Sequence, residues 1–91
     1  MKFVYMAETN DIAFEAIKAM FDMGKIKKMK QLEKLSPTKI AKALGLNYGR
    51  YIKKLYNPEL FVIAELKKLA TILDANFRTI SEVVIDEVDK K

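Results

Sequence analysis

Apolar residues recur along this chain at helical spacing, and turn-forming residues cut the pattern into short segments. Ala13, Ala16, Ile17, Met20 and Phe21 form one stripe, with Glu15, Lys18 and Asp22 on the opposite side. Thr9 or Asn10 can cap the start of this first helix, Asp11 suits its positive end, and Gly24 ends it. After a link at residues 25–28, Leu32 and Leu35 sit three apart in a segment of one or two helical turns, Met29 to Leu35. Ser36-Pro37 then reads as a helix start, with Ser as cap and Pro at the first helical position. That helix runs from Pro37 to Leu44, with Ile40, Ala41 and Leu44 inside and Thr38, Lys39 and Lys42 outside, and Gly45 stops it. Asn47 caps the next helix, which carries Tyr51, Ile52 and Leu55 and ends at Asn57-Pro58.

From Glu59 to Leu73 the pattern predicts a longer amphipathic helix, with Val62, Leu66, Leu69 and Leu73 on one stripe and Ile63 and Ala70 widening it. Asp74-Ala75-Asn76 is a break. Phe77, Ile80, Val84 and Val88 again follow helical spacing, but the β-branched content of residues 79–88 leaves a strand as the competing reading. Phe3-Val4-Tyr5-Met6 is a short apolar run within a lead of residues 1–9, read as an N-terminal arm, and residues 86–91 read as a frayed tail.

These elements make an all-α bundle of five to six helices. At 91 residues the chain is expected to form a single domain, 1–91. A chain of this size buries about 60–65% of its unfolded surface, enough for one core. It contains neither cysteine nor histidine, which removes disulfides, thiol nucleophiles, imidazole bases and the common zinc-ligand sets. The hydroxyl candidates Ser36 and Ser81 have no imidazole to activate them, and the carboxylates lack metal-loop spacing, so no enzyme, cofactor or small-molecule ligand is expected. The longest uncharged stretch, Ala43 to Gly49, is seven residues, far below the ~20 a membrane span needs. No signal-peptide pattern opens the chain, and a cytoplasmic location is expected.

Charge sharpens the picture. The net +5 divides into −2 over residues 1–24, +9 over residues 25–58 and −2 over residues 59–91. No acid lies between Glu33 and Glu59. Such a block suits a polyanion, although a solvated lysine-rich face has the same composition. Within it, Ala41 precedes Gly45 by four positions. A small residue lets two helices cross closely, and glycine supplies the backbone conformation of a tight turn. The second helix then exposes Tyr48, Gly49, Arg50, Lys53 and Lys54 above an apolar underside.

Ile40-Ala41-Lys42-Ala43-Leu44-Gly45-Leu46, followed by Tyr51-Ile52-Lys53-Lys54-Leu55-Tyr56-Asn57, resembles the helix-turn-helix of the lambda-repressor-like (Xre/Cro-type) DNA-binding domains. Leu66 to Leu73 and the segment around Ile80 look like that family's fourth and fifth helices, so the resemblance covers about residues 36–85. It implies a lambda-repressor-like bundle whose helix-turn-helix spans residues 37–56, and a transcriptional regulator of bacterial or phage type that reads double-stranded DNA with residues 48–56 in the major groove. By position, the implied base-contact residues are Asn47, Tyr48, Gly49, Arg50 and Lys53, and the implied phosphate contacts are Thr38, Lys39, Lys42 and Lys54. The spacing from Gly45 to the buried pair of the second helix is one residue longer than the family's usual one, and Gly49 is expected to take up the extra residue in the turn. Lys25, Lys27, Lys28 and Lys30 read as a solvated linker or an extension of the phosphate footprint. Residues 77–88 offer a face for a homodimer, with packing onto the first helix as the alternative. Two other functions fit the same residues: a protein-interaction module on the same fold, and non-specific binding of nucleic acid or anionic membrane.

Overall fold

In a computed structural model, which describes residues 12–91, the chain is all-helical and no strand occurs among the described residues. The helices are α1 (Ile12–Asp22), the 3₁₀ helix η1 (Met29–Lys34), α2 (Pro37–Leu44), α3 (Tyr48–Tyr56), the 3₁₀ turn η2 (Pro58–Leu60), α4 (Ile63–Leu73) and α5 (Phe77–Asp89). The arm at residues 1–9 and the cap at Thr9 or Asn10 lie outside the described residues.

Three helices end in the same way. Gly24, Gly45 and Asp74 each take a left-handed conformation (φ +72°, +76° and +55°). The next residue then donates its N–H back across the final turn: Lys25 to Met20 O at 2.8 Å, Leu46 to Ala41 O at 2.9 Å, Ala75 to Ala70 O at 2.9 Å. These are Schellman closures, which use up carbonyls that a helix end leaves without partners. Glycine supplies two of them as the sequence predicts. Asp74 adopts the same geometry, as one of the few non-glycine residue types that visit the left-handed region, at a cost glycine does not carry.

Helix starts follow the sequence less uniformly. Asn47 and Asn76 cap α3 and α5 by accepting from the N–H of Arg50 and Arg78, each at 2.8 Å. Ser36 does not act as the expected cap: it is left-handed (φ +53°) and its side chain makes no capping bond. Pro37 occupies the first turn as predicted, so the start of α2 rests on Pro pre-setting its φ.

The segment from Met29 is 3₁₀, and its burial has a period of three. Met29 and Leu32 are fully buried and Leu35 partly so, matching three residues per turn. Gln31 organises the preceding link. Its Oε1 accepts from the N–H groups of Lys27 (2.7 Å) and Lys28 (2.9 Å), while its Nε2 donates to Lys25 O (3.0 Å).

The helix expected from Glu59 begins at Ile63. Pro58 starts a single 3₁₀ turn, and Phe61 and Val62 are extended. This detour buries Phe61, while Val62 (53% exposed) and Ile63 (65%) face outward instead of joining the stripe of Leu66, Leu69, Ala70 and Leu73. The competition between helix and strand in residues 77–88 resolves as helix, since Ile80 and Val84 on one α5 face enter the core shared with α1 and α4. That helix continues to Asp89, so residues 86–91 are not simply a frayed tail. Glu87 accepts the N–H of Met29 at 2.6 Å, and Lys91 pairs with Glu59 at 2.8 Å.

The core draws on every α-helix: Ile17 and Phe21, Ile40 and Leu44, Tyr51 and Leu55, Leu66 and Leu69, Ile80 and Val84 among others. α4 lies at its centre, against α1, α2 and α5, while α3 packs on α2 and η1. No described helix is long and apolar enough to cross a membrane.

Candidate nucleic-acid interface

Two short helices, α2 and α3, meet across Gly45-Leu46-Asn47. Ala41 is 2% exposed on the inner face of α2, and its carbonyl accepts the Leu46 N–H. Small size at position 41 and positive φ at position 45 together set the close packing of the two helices. Tyr51 and Leu55 anchor α3 from below, both without solvent exposure.

The outward face of α3 follows from that anchoring. Gly49, Lys53 and Tyr56 are exposed and sit four and three residues apart, in one line along the helix. Arg50 lies on one flank of this line, where it shares a shallow hollow with Lys53, Lys54 and Leu60. Tyr48 projects from the first turn and is half exposed. Asn47 is exposed, but its Oδ1 is engaged in the cap, so its amide N–H groups are what it offers a partner. Thr38, Lys39 and Lys42 are exposed on α2.

Gly49 departs from expectation. It sits within α3, not in the turn, and its φ is not positive. A Cβ built there would meet only Asn47 Oδ1, at 3.8 Å. α3 is helical from Tyr48 onward, and Gly45, Leu46 and Asn47 form the link between it and α2.

Lys54 also departs. Its Nζ donates to both carboxylate oxygens of Glu65 (2.7 and 2.9 Å) and to Leu60 O (3.2 Å). The two side chains are only 13% and 17% exposed. Lys54 thus ties α3 to the start of α4, and its ammonium is committed within the protein instead of being offered to a phosphate. Burial of the Glu65 carboxyl opposes ionisation, but the Lys54 hydrogen bonds, the Val62 N–H and the charges of Lys54 and Arg50 outweigh it and hold its pKa below the ordinary value. The same carboxylate accepts the Val62 N–H at 3.0 Å and so caps α4.

The sequence marked the segment from Met29 as a short helix, but not that it lies beside Tyr56. The Tyr56 hydroxyl donates to Glu33 of η1, which lies along α3. That hydrogen bond and the Glu33 charge raise the pKa of the phenol. The signal available in the sequence was the line 49–53–56. The partner at position 33 has no sequence marker.

The chain matches no family model, no curated protein and no solved structure. Among the described residues no cluster of three or more carboxylates could hold a metal. The outward faces of α2 and α3 present Thr38, Lys39, Lys42, Arg50 and Lys53. Among the described residues, the acids beside α3, Glu33 and Glu65, are each hydrogen-bonded within the protein. The face proposed from the sequence as a dimer contact is largely internal: Ile80 is fully buried and Val84 8% exposed, leaving Ile85 and Val88 as the exposed apolar residues of α5.

Proposed function

We propose that this protein binds double-stranded DNA through α2 and α3, acting as a helix-turn-helix of the lambda-repressor-like type, and that it regulates transcription. The observation that carries the reading is the outward face of α3. Arg50 and Lys53 stand exposed beside a glycine that nothing among the described residues crowds, on a helix anchored from below by fully buried Tyr51 and Leu55. An α-helix about 10–12 Å across fits a major groove about 12 Å wide. With α3 seated there, Arg50 is the base reader, suited to a bidentate contact with guanine, and Lys53 reaches a base or phosphate. Tyr48 and the Asn47 amide approach from the first turn. Thr38, Lys39 and Lys42 hold phosphates on the α2 side, and Lys54 is withdrawn from the contact set. One helix reads few base pairs. A homodimer placing two such helices about 34 Å apart supplies specificity, and on α5 the residues left for that contact are Ile85 and Val88.

A second reading, a protein-interaction module on the same fold, draws on the exposed apolar residues Leu60, Val62 and Ile63 beyond α3, which flank the buried Phe61. Duplex site selection together with a salt titration separates the two. DNA reading predicts an enriched site and a log–log salt slope of about −0.9 per phosphate contact. Absence of duplex binding at low salt refutes it. Within the DNA reading, Arg50→Ala relaxes preference at one base position; a uniform loss across all sequences reduces Arg50 to a phosphate contact.

A further inference from the structure

The Tyr56 flank of α3 borders a second hollow, lined by Lys30, Gln31, Glu33, Lys34 and Tyr56. Its floor is set by the three-residue period of η1. Met29 and Leu32 take the inner positions, and Lys30 and Lys34 are left exposed. Among the described residues Glu33 is the one carboxylate in this lining, and it accepts the Tyr56 hydroxyl. The two ammonium groups therefore face solvent beside a carboxylate already engaged by a neutral donor. Tyr56 lies on the same outward line as Gly49 and Lys53, so η1 stands beside that line and not behind the helix. The opposite flank is different, because there Lys54 is closed onto Glu65.

A helix that fills the major groove leaves the elements on its flanks facing the phosphate ridges. We infer that η1 is a phosphate clamp in which Lys30 and Lys34 hold the DNA backbone on the Tyr56 side of α3, opposite the side reached by Arg50. This inference rests on the DNA-binding reading above and adds to it a partner surface outside α2 and α3. Gln31 and Glu87 fix the position of η1, through the backbone of residues 25–28 and the Met29 N–H. The lysines are thus presented from a held element and not from a loose linker.

The test uses the full chain carrying Lys30→Ala and Lys34→Ala together, titrated by fluorescence anisotropy against a mixed-sequence duplex at several salt concentrations. Circular dichroism melting checks the fold. Losing two phosphate contacts lowers the magnitude of the log–log salt slope by about 1.8, at about 0.9 per contact. Lys67→Ala with Lys68→Ala, a matched loss of charge on α4, leaves the slope unchanged. Glu33→Gln keeps an acceptor for Tyr56 while removing the negative charge, and tightens binding. An unchanged slope in the η1 variant, or an equal loss in the α4 variant, overturns the clamp while leaving DNA binding standing. Failure of the unmodified protein to bind duplex overturns both.

Discussion

Replacing Gly49 with alanine separates what the fold asks of that position from what a partner asks. Glycine inside a helix costs about 0.5–1 kcal/mol relative to alanine, because it forfeits more backbone freedom on folding. A turn or a close internal approach normally explains it, and among the described residues Gly49 shows neither. It is exposed in the first turn of α3, its φ is not positive, and an added Cβ would have only ordinary contact with Asn47 Oδ1 at 3.8 Å. Gly49→Ala is therefore expected to stabilise the protein by about 0.5–1 kcal/mol, which for a domain of this size raises Tm by about 2–8 °C. Urea and thermal denaturation followed by circular dichroism measure it. Duplex binding is expected to move the other way, since a methyl group would stand where α3 comes nearest the DNA. A lower Tm would refute the structural argument, because the backbone at residue 49 would then need glycine. A higher Tm with unchanged or tighter DNA binding would keep the structural argument and remove Gly49 from the interface.

Tyr51 is fully buried, and among the described residues its hydroxyl meets no hydrogen-bond partner, with burial pushing the phenol pKa well up. An unpaired buried hydroxyl costs about 1–3 kcal/mol, so Tyr51→Phe should hold or raise the urea midpoint; a loss of more than about 1 kcal/mol would show that the hydroxyl is paired. The Lys54–Glu65 pair predicts an acid limit: because the folded carboxyl titrates below its unfolded value, its contribution is full above the unfolded pKa and is lost as pH falls through the folded one. Lys54→Met should cost about 1.5–3 kcal/mol near neutral pH and flatten the decline of stability on the acid side, read from urea midpoints across a pH series. Asp74→Gly relieves a left-handed non-glycine residue and removes a negative charge from the negative end of α4, for a gain of about 1 kcal/mol; unchanged thermal unfolding would mean that the side chain offsets both effects.

Much of this protein was legible in the chain because its determinants are local. A glycine followed by a short link ends α1 and α2 wherever the rest of the molecule lies, and asparagine caps α3 and α5 through bonds spanning three and two residues. Helical spacing likewise marked Ile40, Ala41 and Leu44 as inner residues, and they are. Where local preference was divided, packing decided. The β-branched run in α5 is helical because Phe77, Ile80 and Val84 all pack on one core, and a strand would turn Phe77 to the face opposite Ile80. The chain after Pro58 is extended at Phe61 because burying that ring outweighs continuing the apolar stripe from Val62.

The candidate site shows the same division. Its place on residues 37–56, its basic character and its inner anchors Tyr51 and Leu55 could be read from residue order, since each depends on spacing within one or two helices. Which polar groups remain available depended on partners far along the chain: Glu65 for the Lys54 ammonium, eleven residues away, and Glu33 for the Tyr56 hydroxyl, twenty-three away. The placement of η1 beside α3 rests partly on the Met29–Glu87 bond across fifty-eight residues. No periodicity encodes such pairings, because a salt bridge or buried hydrogen bond is chosen by which surfaces the finished core brings within about 3 Å. The sequence by itself thus determined a basic two-helix face on an all-helical chain. Only the tertiary structure decided that Lys54 is withdrawn from that face and that Lys30 and Lys34 stand beside it.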